Sequence, residues 1–258
     1  MNNWDFPEPR DWEYRQRGAI AVCADLLRKF LGIPTNELTE LTFFVQGRIH
    51  VAQATTALDH VRLLEEGQRK RGFNGAYQLV NGPINPALGA RYQPNRIHPA
   101  WNGRAGDADI GLRRAIFIDI DPVRPKGISA TEDEKRAAYH VYTAVAEFLF
   151  GVLQDETVLG RGDSGNGFFI LLAIEPTPIS AESTAHIRRF LKLLASLFDT
   201  KQARIDTSVG NVARLMPAPG TWKRKGENTL ERPHRRTAFK CLEVVSRVPM
   251  EKVIGHRR

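Results

Sequence analysis

Residues 113–125 read RRAIFIDIDPVRP. Ala115, Ile116, Phe117, Ile118 and Ile120 form a β-branched and aromatic run closed by Pro122, so the spacing predicts a strand over residues 114–120. Successive side chains of a strand alternate in face. Ile116, Ile118 and Ile120 therefore enter a core, while Ala115, Phe117, Asp119 and Asp121 point the other way. The two aspartates then stand about 7 Å apart at the C-terminal edge of the strand. Unpaired carboxylates on one face of an apolar strand repel each other and are costly to desolvate, and a cation between them relieves both. Without context, the same pair is equally the polar end of a strand facing water.

Upstream, Ile20, Cys23, Leu27, Phe30 and Leu31 fall at helical spacing within residues 15–31, after an irregular start over 1–14. Strands are expected at 41–45 and 49–51 around Gln46-Gly47, and at 76–80. Thr55 or Thr56 caps a helix between them that runs to about residue 70. Residues 81–111, NGPINPALGARYQPNRIHPAWNGRAGDADIG, form a long connection rich in Gly, Pro and Asn. Loops of that length inside a domain are usually functional or mobile. Downstream, Thr131 and Glu134 form a capping box for a helix ending near residue 150. Strands at 157–159 and 168–174 flank the turn GRGDSGNG, residues 160–167. Ser180 caps a second helix whose apolar stripe is Ile187, Phe190, Leu191, Leu194, Leu197 and Phe198. A short strand at 203–206, charged irregular sequence and a last strand near 239–245 follow, and the final VPMEKVIGHRR shows no closing element. Strands alternating with two long helices predict an α+β (α/β-like) fold, a sheet with helices packed on it.

The 258 residues are 42% hydrophobic, ample for a core. No run of about 18 apolar residues is present, so no membrane span is expected. The polar start MNNWDFPEPRDWEYRQRG is unlike a signal peptide. Cys23 and Cys241 lie in no CxxC or CxxH spacing, so no zinc is expected, and two idle thiols suit a reducing compartment. The net charge of +8 suits a polyanionic partner. It is concentrated in Trp222–Arg236, WKRKGENTLERPHRR, where six basic side chains oppose Glu227 and Glu231 to leave +4. A bare charge run of this kind is more often a solvated loop than a phosphate site.

Gly162, Gly165 and Gly167 allow backbone N–H groups to converge on an anion beside the Ser164 hydroxyl, although a tight hairpin turn uses the same residues. No GK[ST] follows, so this is not a Walker A loop. Arg161–Asp163 spells RGD, which carries no weight without secretion. Nucleotidyl transfer on two divalent ions commonly needs a third acid on a neighbouring strand. Asp206, in ARIDTSVGN, is the best candidate, although an Asp before Thr-Ser is also a routine turn or cap.

Three segments now line up in order: IDIDP, SGNGFF and IDTSVGNVARLMPAPGTWKRKGENTLERPHR. Together with AYQLVNGPINPAL and DADIGLRRAIFIDIDPVRPKGISATEDEK, they make residues 75–236 resemble the archaeo-eukaryotic primase superfamily, in the primase-polymerase branch of plasmids, phages and mobile elements. The resemblance implies an RRM-like catalytic sheet joined to an N-terminal α/β unit, with the active site in the cleft between them. It divides the chain into a helical extension (1–40), a catalytic domain (41–246, the α/β unit over about 41–112 and the RRM-like unit over about 113–246) and a tail (247–258). It assigns two Mg²⁺ or Mn²⁺ ions to Asp119, Asp121 and Asp206. It brings Ser164, Gly165, Asn166 and Gly167 to the triphosphate, with Arg214 and Lys225 near phosphates, and makes a nucleic-acid surface of Lys223, Arg224, Arg232, His234, Arg235 and Arg236.

The implied activity is template-directed nucleotidyl transfer that makes or extends DNA or RNA primers on single-stranded DNA. Its partners are template and primer, a dNTP or NTP and, within a longer replication protein, a helicase, with no membrane; its setting is the cytoplasm of a prokaryotic cell or phage-infected host. One position departs from the family pattern. The glycine motif usually ends in a phosphate-contacting histidine, and here the residue is Phe169, which can neither donate a hydrogen bond nor carry charge. Arg161, Lys223 or Lys225 would have to substitute. The alternative is a catalytically weakened nucleic-acid-binding replication protein of the same fold. A metal-dependent nuclease also uses carboxylate pairs, whereas a nickase needs paired histidines and those of this chain are scattered.

Overall fold

The computed structural model of the chain describes residues 18–34, 36–85, 87, 91–243 and 245–254, so the expected irregular start lies outside the described residues. Two five-stranded antiparallel sheets organise it. In the first, β1 (Thr39–Val45) and β2 (Arg48–Ala54) form a hairpin. Its two turn residues, Gln46 and Gly47, sit at φ 51° and 72°, the positive pair that a tight right-twisted hairpin needs. Thr56 accepts from the Asp59 amide and so starts α2 (Ala57–Arg69). This helix lays Leu63, Leu64 and Gly67 on the sheet. A Cβ on Gly67 would fall 2.3 Å from the Phe43 ring, so only glycine allows that approach. β3 (Phe73–Leu79) and β4 (Ile97–Pro99) join this sheet, and β9 (Leu215–Pro217) returns to it much later in the chain, giving the order β4-β2-β1-β3-β9. The long Gly/Pro-rich connection thus contains an edge strand that composition alone concealed.

The second sheet is built by β5 (Leu112–Pro122), α3 (Glu132–Leu153), β6 (Leu159–Asp163), β7 (Phe168–Pro178), α4 (Ala181–Phe198) and β8 (Ala203–Ile205), a β-α-β-β-α-β unit. Its strand order, β6-β7-β5-β8, is RRM-like, and β12 (Ala238–Lys240) adds an edge beside β6. Ile116, Ile118 and Ile120 pack with Val141 and Val145 of α3 and Leu191 of α4, as the alternation requires. Capping boxes at Thr131/Glu134 and Ser180/Ser183 start both helices. On the opposite face α1 (Gly18–Leu31) lies beside β12, with Phe30 edge-on to Phe239 at 5.6 Å. The architecture is α+β.

Several sequence expectations need correction. Gly160–Asp163 belongs to β6, so only residues 164–167 make the turn. The irregular basic stretch holds a small hairpin, β10 (Trp222–Lys223) with β11 (Arg235–Arg236). The last strand is confined to β12. The chain does gain a closing element: Val248 bridges to Ile174, and the helix α5 (Met250–Ile254) follows. Among the described residues no helix is long and apolar enough to cross a membrane.

Candidate active site

The site is read along one row of the second sheet. Phe239 pairs with Gly162, Gly162 with Phe169 and Phe169 with Asp119. Beyond Asp119, the Asp206 amide donates to the Asp119 carbonyl at 2.8 Å. Side chains opposite each other in register share a face, so the row places Asp119 and Phe169 side by side. Asp119 and Asp121 are both half-buried. The Asp119 carboxyl is pushed well above its ordinary range, first by burial and then by the charge of Asp121, with Asp206 adding to it and Arg214 and Lys225 opposing. Three carboxylates therefore act on one corner of the sheet.

Cations answer them. Arg214 holds Asp206 at 3.1 Å. Lys225 is half-buried, and its pKa is lowered by burial and by Arg124 while Asp121 and Asp119 raise it. Arg124 was not singled out in the sequence. It follows Asp121 by three residues, gives Nη1 to the Ile128 carbonyl at 2.5 Å and keeps a buried Nε without a protein partner. The first basic residue after IDIDP, two positions beyond Pro122, was the available signal.

Carboxylate oxygens suit a hard divalent ion such as Mg²⁺ or Mn²⁺, and the crowded Asp119–Asp121 pair fits one. The complete cradle is not formed: among the described residues no three His, Cys, Asp or Glu side chains are arranged to hold a metal ion. The reason is local. The Asp206 carboxylate is turned to Arg214 and accepts from its own Ser208 amide at 2.8 Å.

The glycine turn lies against this corner. A Cβ on Gly167 would stand 2.3 Å from the Ile120 carbonyl and 3.0 Å from Asp121 Oδ1, so glycine lets the turn press on the acidic strand. Most of its polar groups are engaged within the protein, the exception being Asn166 Nδ2, which is buried without a protein partner among the described residues. Asp163 accepts from the Gly165 amide at 2.6 Å and from Lys135 Nζ at 2.6 Å. Ser164 Oγ accepts from the Gly167 amide at 2.9 Å, and Asn166 accepts from the Ala130 amide at 2.8 Å. Ser164 and Asn166 are buried.

Phe169 is buried too. Its ring tips over Gly162, where a Cβ would come within 1.9 Å of it, and stacks on Phe239 at 6.4 Å. It thus leans away from the Asp119 side of the row. Arg161 is opposite Ile170 in register and interacts with Tyr142 of α3, which puts it on the other face of the sheet and away from the acids.

The basic run is largely a clasp on α3. Arg232 forks onto Glu134 at 2.8 and 2.9 Å, and Arg235 reaches Glu132 at 2.5 Å. Arg236 lies over Trp222 at 4.9 Å, Arg224 over Phe73 at 5.7 Å, and the His234 ring meets the Gly226 carbonyl. Lys223 is buried with Nζ 3.9 Å above Tyr77, its pKa brought down to about 7 by burial and by Lys225. The run therefore brings Lys225 to the carboxylates and Lys223 to the glycine turn, and directs Arg232 and Arg235 to the start of α3.

No protein-family model and no curated protein matches the chain. Among solved structures, the AEP domain of the cyanophage S-2L primase-polymerase is similar, with a TM-score of 0.50 and 15% sequence identity over 90% of this chain and 95% of that one. At that identity the likeness is one of fold: the chain has a primase-polymerase-like fold.

Proposed function

We propose that the chain is a primase-polymerase catalytic domain, a nucleotidyltransferase that makes or extends primers on single-stranded DNA. The observation that carries this reading is the corner where Asp119, Asp121 and Asp206 act together opposite Arg214, Lys225 and Arg124. Asp119 and Asp121 would hold Mg²⁺ or Mn²⁺, with Asp206 joining once Arg214 is drawn off by a phosphate. Bound there, the ions would supply charge neutralisation for the triphosphate and acidify the attacking hydroxyl. The chain's own part is positional. Lys225 and Arg124 meet nucleotide phosphates, and the turn at 164–167 stiffens the strand that carries Asp121. The first sheet, which includes β9, and the second sheet act as the two walls of the cleft. A phage, plasmid or mobile-element replication system in a prokaryotic cytoplasm is the setting, with a helicase as a further partner.

Incubation of the chain with a primed single-stranded template, dNTPs and Mn²⁺ tests this: extension products are expected, and Asp119→Asn should yield none. The buried Phe169 and the internally engaged Ser164 favour a second reading, a replication protein that binds nucleic acid with little or no synthesis. Binding without extension, across both ions and both nucleotide classes, would select it.

A further inference from the structure

One face of the first sheet has no part in the site described above. The strands turn Leu41, Phe43 and Ala52 towards α2. By alternation they turn Phe44, Ile49, Tyr77 and His98 the other way. Register aligns these in two adjoining rows: His98, Val51, Thr42 and Tyr77 lie along one, sealed in its middle where Val51 and Thr42 are buried, and Ile49, Phe44 and Gly75 lie along the next, open at Ile49 and half-open at Phe44. The inner end of this band adjoins the catalytic corner. Phe44 meets Tyr77 edge-on at 5.2 Å, Lys223 stands over Tyr77, and Lys225, two residues on, feels Asp119 and Asp121. At the outer end, on β4, His98 stacks on Tyr92 at 5.5 Å and both meet Trp101, at 5.5 and 5.7 Å. Trp101, in the turn after β4, is 63% exposed and Ile49 of β2 is 42% exposed, large apolar surface held in water at this end of the sheet. Arg96 and Arg104 flank the cluster, both exposed and neither in an ion pair among the described residues.

We infer that this band is a stacking platform for single-stranded nucleic acid, with bases on Trp101, His98 and Phe44 and phosphates at Arg96 and Arg104, leading the strand towards Asp119. Aromatic faces accept any base, and Arg96, exposed and in no ion pair among the described residues, supplies the charge complement that a polyanion needs, with the positive charge of Arg104 beside it even though Arg104 Nη1 donates to the Ala105 and Ala213 carbonyls at 3.3 and 3.2 Å. The inference rests on the proposed function only in taking the bound strand as the template; binding itself requires no catalysis.

The test uses the full chain and a fluorescein-labelled oligo-dT of about 15 nucleotides, read by anisotropy across a salt series. Trp101→Ala, at an exposed position, should melt like the unchanged chain and bind about tenfold or more weakly with the same salt slope. Trp101→Phe should retain most of the affinity. Arg96→Gln should reduce the slope by about 0.7. Undiminished binding by both Trp101→Ala and Phe44→Ala would overturn the platform. If primers are extended while those two variants bind normally, the platform fails alone. If binding depends on Trp101 but no primer is ever extended, the platform stands and the polymerase reading fails.

Discussion

Asp119 and Asp163 belong to one sheet, on β5 and β6 with β7 between them, and folding treats them in opposite ways. Asp163 is buried, holds Lys135 at 2.6 Å and takes the Gly165 amide at the same distance, so its charge is committed to the fold. Asp119 meets the fields of Asp121 and Asp206, and among the described residues no hydrogen bond holds its carboxylate; burial and like charge drive its pKa up. A carboxylate that folding satisfies is part of the scaffold. One that folding leaves under repulsion is relieved by a cation or by a proton.

The widest separation between the two should appear in activity. Asp119→Asn removes one charge from the crowded corner, so primer extension should fall by at least about a hundredfold. Its calorimetric Tm should hold or rise, because repulsion is relieved. A lower Tm with extension retained would reverse the roles of the two aspartates. Next in size, Lys135→Met should cost about 3–5 kcal/mol in urea unfolding, since it strands a buried carboxylate. Replacing the pair together, Lys135→Met with Asp163→Leu, should recover only part of this. The Gly165 amide would still lack its acceptor, at about 1–3 kcal/mol.

A buried base extends the contrast. Burial, aided by the charge of Arg28, brings His60 from 6.5 down to about 4, and its Nδ1 lies 3.2 Å from Thr39 Oγ1. Between those two values the unfolded chain takes up a proton that the folded chain refuses. Stability should therefore be complete above pH 6.5 and fall by about 3 kcal/mol as the pH drops to 4. His60→Gln should flatten that part of a stability-against-pH series. The smallest effect concerns Arg232, whose fork onto Glu134 should make Arg232→Ala lower the Tm only slightly. Because Glu134 already balances its charge, the salt slope of oligo-dT binding should stay unchanged, and a shallower slope would return Arg232 to the nucleic-acid surface.

Legibility in the sequence followed the range of the interactions involved. The parity of β5 was readable because alternation is a local property, and the Thr131/Glu134 capping box and the Ser180 cap were readable for the same reason, although the part of Ser183 in a second box was not. Arg232 and Arg235 were read as free charge because their partners, Glu134 and Glu132, lie about a hundred residues upstream. Likewise β4 was hidden inside a Gly/Pro-rich loop, since its pairing with Val51 and Ala52 is long-range and its own three residues carry no pattern. The acids were nominated by type and spacing, but the turning of Asp206 to Arg214 depends on a side-chain rotamer that no spacing encodes. Ser164 was expected to face a ligand; the amide it accepts from, Gly167, lies within the same turn, and hairpin closure uses the same residues as anion binding.

The ring of Phe169 occupies the space that a side chain at Gly162 would need. The two positions are consequently yoked. Any residue larger than glycine at 162 evicts the ring, and a smaller or polar residue at 169 opens a hole over 162 beneath Phe239. An imidazole at 169 would bring polar nitrogens into the apolar stack with Phe117 and Phe239, where each must find a hydrogen-bond partner or cost stability.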